Sequence, residues 1–348
     1  IVIKDGTIEQ VYTEGNRPQT EDEILDGKGM YAIPGLIDLH FHGCKGDDFC
    51  DGSRDAIVRI AEYEASVGVK AIAPATMTLP VEELEQILRV AAEYKKGPHS
   101  KKEADFVGIN MEGPFISPAK KGAQDERNII PCDVKVCERF LKASEGLVKF
   151  MGIAPEESEN AVAFIDEVKD KVNVSLAHTN ADYDTAMAAF NAGADHAVHL
   201  YNAMPAFTHR APGVIGAVYD SKHVMAEIIC DNVHIHPAVV RATFAMMGAD
   251  RMILISDSMR ATGLEDGEYT LGGQPVTVRG NRATLHDGTI AGSATNLMDC
   301  VRFCVKTVGL PLEDAIMCAT ENPAREIGIY GEVGSIETGK KADFVLLD

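Results

Sequence analysis

Short apolar runs recur along the chain at about 36–42, 70–76, 105–111, 148–154, 172–178, 195–201, 224–230 and 251–257. Most are separated by stretches in which apolar residues return every three or four positions, such as "SRDAIVRIAEYEASVG" after the first run, "VEELEQILRVAAEY" after the second and "ADYDTAMAAFNAG" after the fifth. The runs predict strands and the periodic stretches predict helices. Eight strands alternating with helices predict an α/β fold, a (β/α)8 TIM-like barrel whose functional groups stand at the C-terminal ends of the strands. A doubly wound open sheet is the alternative architecture. The pattern changes at the chain ends: "IVIKDGTIEQVYTEG" reads as strand, Asp-Gly turn, strand, and "GSIETGKKADFVLLD" as a turn followed by a strand. Residues 1–33 and 331–348 are therefore expected to pair into a small β-domain beside a barrel over 34–330. Within that barrel, "GEYTLGGQPVTVRGNRATL" predicts a β-hairpin insertion at about 267–290. The chain opens at Ile1 already inside a strand-like stretch, as a chain trimmed at its N-terminus would.

Polar residues concentrate where such a fold places a site. In "IDLHFHG" (37–43), strand alternation puts Asp38, His40 and His42 on one face and Ile37, Leu39 and Phe41 on the other, so two imidazoles face one point in space. A lone histidine in such a run reads as a satisfied core residue. The other strands change that reading, because "FVGINMEGPF" brings Glu112, "NVSLAHTNA" brings His178, "DHAVHLYNAM" brings His199 and "MILISDSM" brings Asp257, while "CDNVHIHP" adds His234 after strand seven. Four histidines, a glutamate and an aspartate at corresponding ends of five strands are hard to reconcile with core packing, since charged groups rarely converge without pairing or coordinating metal. Imidazole with carboxylate suits Zn²⁺ first, or a neighbouring divalent ion (Fe²⁺, Co²⁺, Mn²⁺ or Ni²⁺).

Composition narrows the partners. At 348 residues and 45% hydrophobic, the chain can bury one large core with or without a small companion domain. Its 33 basic against 53 acidic residues give a formal charge of −20, which repels nucleic acid and anionic membrane surfaces and leaves a small anion, held by a local Arg and His cluster, as a feasible ligand. No stretch approaches the ~20 apolar residues of a membrane span, and no charged-then-apolar leader opens the chain, so a cytoplasmic protein is expected. The eight cysteines (Cys44, Cys50, Cys132, Cys137, Cys230, Cys300, Cys304 and Cys318) form no C-x-x-C pair, which predicts reduced thiols. No glycine-rich phosphate loop follows any strand, and nucleotide binding drops out.

The segments "PGLIDLHFHG", "NMEGPFISPAKKGAQ", "LAHTNA", "HLYNAM", "HRAPG", "SDS", "AGSA" and "GSIETGKKADFVLLD" resemble, in order and over almost the whole chain, the amidohydrolase superfamily. "EGPF", "HLYNAM" and "HRAPG" resemble its N-acetylglucosamine-6-phosphate deacetylase branch in particular. The resemblance implies a metal-dependent hydrolase in a (β/α)8 barrel with a small β-sandwich built from both chain ends. It further implies a homodimer that releases acetate from N-acetyl-D-glucosamine 6-phosphate. By motif, Glu112, His178 and His199 resemble the primary metal ligands, with Glu112 bridging where many relatives use a modified lysine. His40 and His42 resemble the pair used for a second metal, and Asp257 the aspartate that acts as general base and then general acid. Substrate contacts are implied for Ala123, Gln124, Asn202, Ala203, Arg210, Asp231, His234, Ile290, Ala291 and Gly292, with the planar fork of Arg210 suited to phosphate oxygens. His209 and His236 read as solvated neighbours. Gln124, in "KGAQ", is a departure from a position where the family commonly carries a substrate-contacting histidine; it keeps a donor and an acceptor and loses the positive charge. Two other readings stay open. One is an amidohydrolase of another substrate, such as a dihydroorotase or a deacetylase acting on a different acylated amine, although those relatives usually place a lysine at strand four and "FMGIAPE" has none. The other is an inactive scaffold, which would have lost ligands that this chain keeps.

Overall fold

Strands that are apolar on both faces form where helices or other strands cover them, and the eight runs become parallel strands of this kind. In the computed structural model, which describes residues 1–12 and 23–348, these span Leu36–Asp38, Val69–Ile72, Ile109–Phe115, Val148–Ile153, Asn173–Leu176, His196–Ala197, Met225–Ile229 and Met252–Ile255. The last six form one parallel sheet in sequence order. The first two pair in parallel and continue to the short strand Asp105–Phe106. The two sheets are bonded along both edges. On one side Asn110 N donates to Pro74 O (3.0 Å) and Thr76 N to Asn110 O (2.9 Å); on the other Asp257 N donates to His40 O (3.0 Å) and His42 N to Ser258 O (2.7 Å).

Each of the first seven strands is followed by a helix: α1 Arg54–Ser66, α2 Val81–Lys96, α3 Val134–Ala143, α4 Ala161–Val168, α5 Tyr183–Ala192, α6 Gly213–Asp220 and α7 Pro237–Met247. The sequence specifies them locally. In α2, Leu84, Ile87, Leu88, Ala91 and Ala92 make the buried stripe, while Glu82 and Glu83 in the first turn and Lys95 and Lys96 in the last complement the helix dipole. Asp133 and Asp182 cap α3 and α5 by accepting from backbone N–H groups of the first turn. After the eighth strand come α8 Leu297–Phe303, α9 Leu312–Ala319 and α10 Glu321–Glu326. Ala324 and Ile327 join Ile37, Ala71, Phe150, Ile229 and Ile253 in one apolar cluster, and Asn173, the first residue of its strand, donates to Glu326 O (3.2 Å). The α10 segment thus packs against the N-terminal ends of the strands, opposite the ends that carry the site residues.

The insertion is larger than the expected hairpin. Residues Gly267–Leu271, Gln274–Arg279, Arg282–Thr284 and Ile290–Ser293 form a four-stranded antiparallel sheet. Its three turns carry Gly272-Gly273, Gly280-Asn281 and Asp287-Gly288, and the third adds the strand that returns the chain to the site. At the chain ends, Val2–Lys4 pairs with Thr7–Gln10 through an Asp5-Gly6 turn with both φ angles positive. Tyr31–Pro34 pairs antiparallel with Phe344–Leu347, and Ile8 N donates to Lys340 O (2.8 Å). The expected strand pair of residues 1–15 runs into residues 13–22, which lie outside the described residues. All eight cysteines are free thiols. Among the described residues no helix is long and apolar enough to cross a membrane.

One buried acid is a stability determinant. Glu64 on α1 is fully buried, and neither carboxylate oxygen meets a hydrogen-bond partner among the described residues. Burial, reinforced by Asp38, pushes its pKa well above the ordinary glutamate value. The folded state therefore keeps a proton that the unfolded chain releases above about pH 4.3, so this group's contribution to stability falls as pH rises from there. Glu64→Gln should raise Tm relative to wild type, with a gain at pH 8 that exceeds the gain at pH 5. Thermal denaturation at the two pH values checks this, and a gain independent of pH would contradict it.

Candidate metal centre and substrate cavity

His40, His178, His199 and Asp257 each lie two residues beyond the end of a parallel strand, at Asp38, Leu176, Ala197 and Ile255 respectively. Three of them hold left-handed backbone, with φ +44° at His178, +26° at His199 and +50° at Asp257. That conformation costs a residue with a β-carbon about 1–2 kcal/mol, so its use at three corresponding strand ends marks a site. The turns are secured behind it: Ser117 N donates to His178 O (2.9 Å) and Ser293 N to Asp257 O (2.7 Å). Glu112 differs in lying inside its strand, all seven residues of which are buried.

Glu112 is the hub. Its Oε1 lies 2.9 Å from His178 Nε2, 2.9 Å from His199 Nε2 and 3.4 Å from His40 Nε2. Its Oε2 accepts from Gln124 Nε2 (2.6 Å) and lies 3.3 Å from His42 Nε2. Asp257 Oδ1 stands 3.4 Å from His42 Nε2 and 3.8 Å from His40 Nε2. Burial opposes charge on both carboxylates, but the surrounding imidazoles outweigh it and hold Glu112 well below, and Asp257 below, the usual carboxylate range. The His178 ring is fixed by Lys120 O, 2.8 Å from its Nδ1. Gln124 is fixed by Thr78, whose N donates to Gln124 Oε1 (2.6 Å), so the amide nitrogen is turned onto Glu112.

Above this cluster opens a cavity of about 360 Å³. His42, Glu112, His178, His199 and Asp257 line it, together with Ala123, Gln124, Asn202, Ala203, His234, Ile290 and Gly292. Lys120, Leu271 and Thr289 line it too and were not expected from the sequence. Ala291 is buried instead in the apolar cluster beneath the inserted sheet, with Met77 and Ala123. Asp231 stands behind the wall, where it accepts from His234 N (2.9 Å) and lies 2.7 Å from His234 Nδ1. Burial disfavours a charged His234, but the bond and charge of Asp231 prevail and raise the imidazole's pKa. Arg210, expected at the phosphate, is outside this lining: it is exposed on the loop after strand six, where Thr208 N donates to Ala211 O (3.1 Å) and turns the loop back on itself. His209 and His236 are exposed as expected, and His236 caps α7 through Ala238 N.

The amidohydrolase family model matches residues 31–348. The chain belongs to the amidohydrolase family. It is 38% identical, over 99% of its length and 87% of the relative's, to the N-acetylglucosamine-6-phosphate deacetylase of Bacillus subtilis (strain 168). Among solved structures, N-acetyl-D-glucosamine-6-phosphate deacetylase from Mycobacterium smegmatis superposes with a TM-score of 0.91 at 30% identity, covering 100% of this chain and 90% of that one. A mutant of the Mycobacterium smegmatis enzyme in complex with N-acetyl-D-glucosamine-6-phosphate gives a TM-score of 0.85 at 32% identity, covering 92% and 83%.

The donor set of this amidohydrolase fits a divalent cation. Two overlapping groups, His40, His42 and Asp257, and His40, Glu112 and His199, each bring their ligand atoms within 4.8 Å of one another, and all are buried. His178 Nε2 and His199 Nε2 approach to 3.2 Å, and His40 Nε2 is buried without a hydrogen-bond partner. Several imidazole nitrogens converging on shared carboxylate oxygens is what a cation organises. Sequence reasoning missed the residues beneath the cluster: Asn110, His196 and Glu227, each a polar residue inside an apolar strand, which was the available signal. Losing a residue that merely orients a ligand typically weakens a metal by 10–100-fold. Glu112→Gln, which removes the shared acceptor itself, should therefore weaken Zn²⁺ binding by at least ~10²-fold in chelator competition. Wild-type affinity in that variant would exclude Glu112 as a ligand.

Proposed function

We propose that the protein hydrolyses the amide of N-acetyl-D-glucosamine 6-phosphate to D-glucosamine 6-phosphate and acetate. The reading includes a (β/α)8 barrel over 34–330, a small β-sandwich domain from 1–33 and 331–348, and a cytoplasmic homodimer. The observation that carries the reaction is the meeting of Glu112 with four imidazoles and Asp257 where His42, Glu112, His178, His199 and Asp257 line a sugar-sized cavity. Glu112, His178 and His199 would hold one ion, Zn²⁺ first among the candidates, and His40 and His42 a second. A divalent ion there supplies Lewis acidity, polarising an acetyl carbonyl and easing deprotonation of water near neutral pH. Asp257 would accept the proton of the attacking water and pass it to the sugar nitrogen, so that the C–N bond breaks with a neutral amine leaving. Gln124 keeps Glu112 in place from the cavity side. His234, whose Nδ1 is engaged by Asp231 and which lines the cavity with Asn202 and Ala203, would receive the phosphate.

Acetate release from N-acetylglucosamine 6-phosphate should far exceed release from the unphosphorylated sugar, and no release from the phosphosugar by the metal-loaded enzyme would overturn the reading. Asp257→Asn keeps the shape and cannot take the proton, so kcat should fall by about 10²–10⁴; a variant with wild-type kcat would remove Asp257 from the chemistry. His234→Ala should lower kcat/KM for the phosphosugar by roughly 10–150-fold, the value of about 1.5–3 kcal/mol for a bond to a charged group, and much less for N-acetylglucosamine. Equal losses on both sugars would mean that His234 does not read the phosphate.

A further inference from the structure

Glu227 stands inside the seventh strand, fully buried, with every hydrogen-bonding position of its carboxylate occupied. Asn110 Nδ2 donates to Oε1 (3.2 Å), and His196 Nε2 lies 3.0 Å from the same oxygen. The backbone N of His199 donates to Oε2 (3.1 Å), and His40 Nδ1 lies 2.9 Å from it. An oxygen pair that accepts from an amide and a backbone N–H on opposite sides is an acceptor throughout, so the two imidazole nitrogens facing it carry protons. His40 is thereby the Nδ1–H form, and its Nε2 is the nitrogen aimed at Glu112 and Asp257. His40 is also the residue common to both candidate cation groups. At the far side, His196 Nδ1 lies 2.8 Å from Glu326 Oε1, so a line of alternating acid and imidazole runs from α10 through the interior to the cavity.

We propose that Glu227 is a positioning residue for the metal centre. It sets the tautomer and direction of His40 and the backbone placement of His199, and is itself held from behind by His196 and Glu326. This rests on the metal reading above, and the two are separable by experiment. An amide cannot replace the carboxylate: in Glu227→Gln the NH₂ group must face one of the two donor pairs, and that pair loses its acceptor.

The test is Zn²⁺ affinity by chelator competition, together with ¹⁵N spectra of the histidine-labelled zinc protein. Glu227→Gln should bind Zn²⁺ about 10–100-fold more weakly, and Glu227→Ala, which leaves His40 Nδ1 without either acceptor oxygen, should also lose the Nδ1–H signature of His40. Glu326→Gln, at the distant end of the line, should show a smaller loss. Glu103→Gln serves as the comparison, because this buried carboxylate accepts from Tyr94 and Ser100 outside the cavity; it should lower Tm and leave Zn²⁺ affinity unchanged. A wild-type protein that takes up no zinc overturns the metal reading itself. Wild-type affinity and an unchanged His40 signal in Glu227→Ala overturn the positioning role alone. If neither Glu227 variant folds, Glu326→Gln decides, and unaltered affinity with an unaltered His40 signal there overturns the proposal.

Discussion

Glu112 places an ionised carboxylate in a water-poor interior, and nearly everything around it answers that charge. Removing such a group from water costs several kcal/mol unless donors or cations surround it closely. Here those neighbours arrive from different strands: His40 and His42 from the first, His178 from the fifth and His199 from the sixth. None reaches Glu112 unless the parallel strands stand in the right order and register. The charge at the centre and the topology of the sheet are thus one constraint seen at two scales.

A division of labour follows along the strand axis. The C-terminal ends carry the cavity, the imidazoles and Asp257, with His178, His199 and Asp257 on backbone turned into left-handed conformations that only a rigid scaffold sustains. The interior below holds Asn110, His196 and Glu227, which do not line the cavity but bond among themselves and, through Glu227, to His40 and His199. The inserted sheet closes the cavity from outside: Asn281 Nδ2 donates to Asp231 O (2.8 Å) and Gln274 Nε2 to Ala123 O, tying it to both the His234 loop and the Gln124 loop. Gln124 illustrates how tightly these parts share atoms. Its oxygen is taken by Thr78 N and its nitrogen by Glu112, so a neutral amide braces the central acid.

Much of this was legible in the sequence, because apolar runs flanked by amphipathic stretches specify parallel strands and helices by periodicity alone. All eight runs are strands, and His40, His42, Glu112, His178, His199 and Asp257 do meet. The local picture of "IDLHFHG" was less secure: the strand ends at Asp38, so His40 and His42 reach the site from the turn beyond it rather than from one strand face. The insertion was underestimated because a single turn suffices to make a hairpin, whereas this segment carries three turns and four strands. Arg210 shows the limit for loops, since which way an exposed loop side chain points depends on bonds, such as Thr208 to Ala211, that no periodicity encodes. Glu227 and His196 were hidden for the opposite reason: a single polar residue inside an apolar strand looks like a satisfied core group, and its four partners come from three other strands.

The central claim is that the Glu112 cluster is a metal centre, and anomalous diffraction from crystals grown with Zn²⁺, recorded at the zinc edge, addresses it most directly. The account predicts a strong peak in bonding contact with Glu112, His178 and His199, with His40 Nε2 facing the same centre. A zinc peak only elsewhere on the molecule, or these imidazoles still bonded directly to Glu112 with no peak between them, would contradict it.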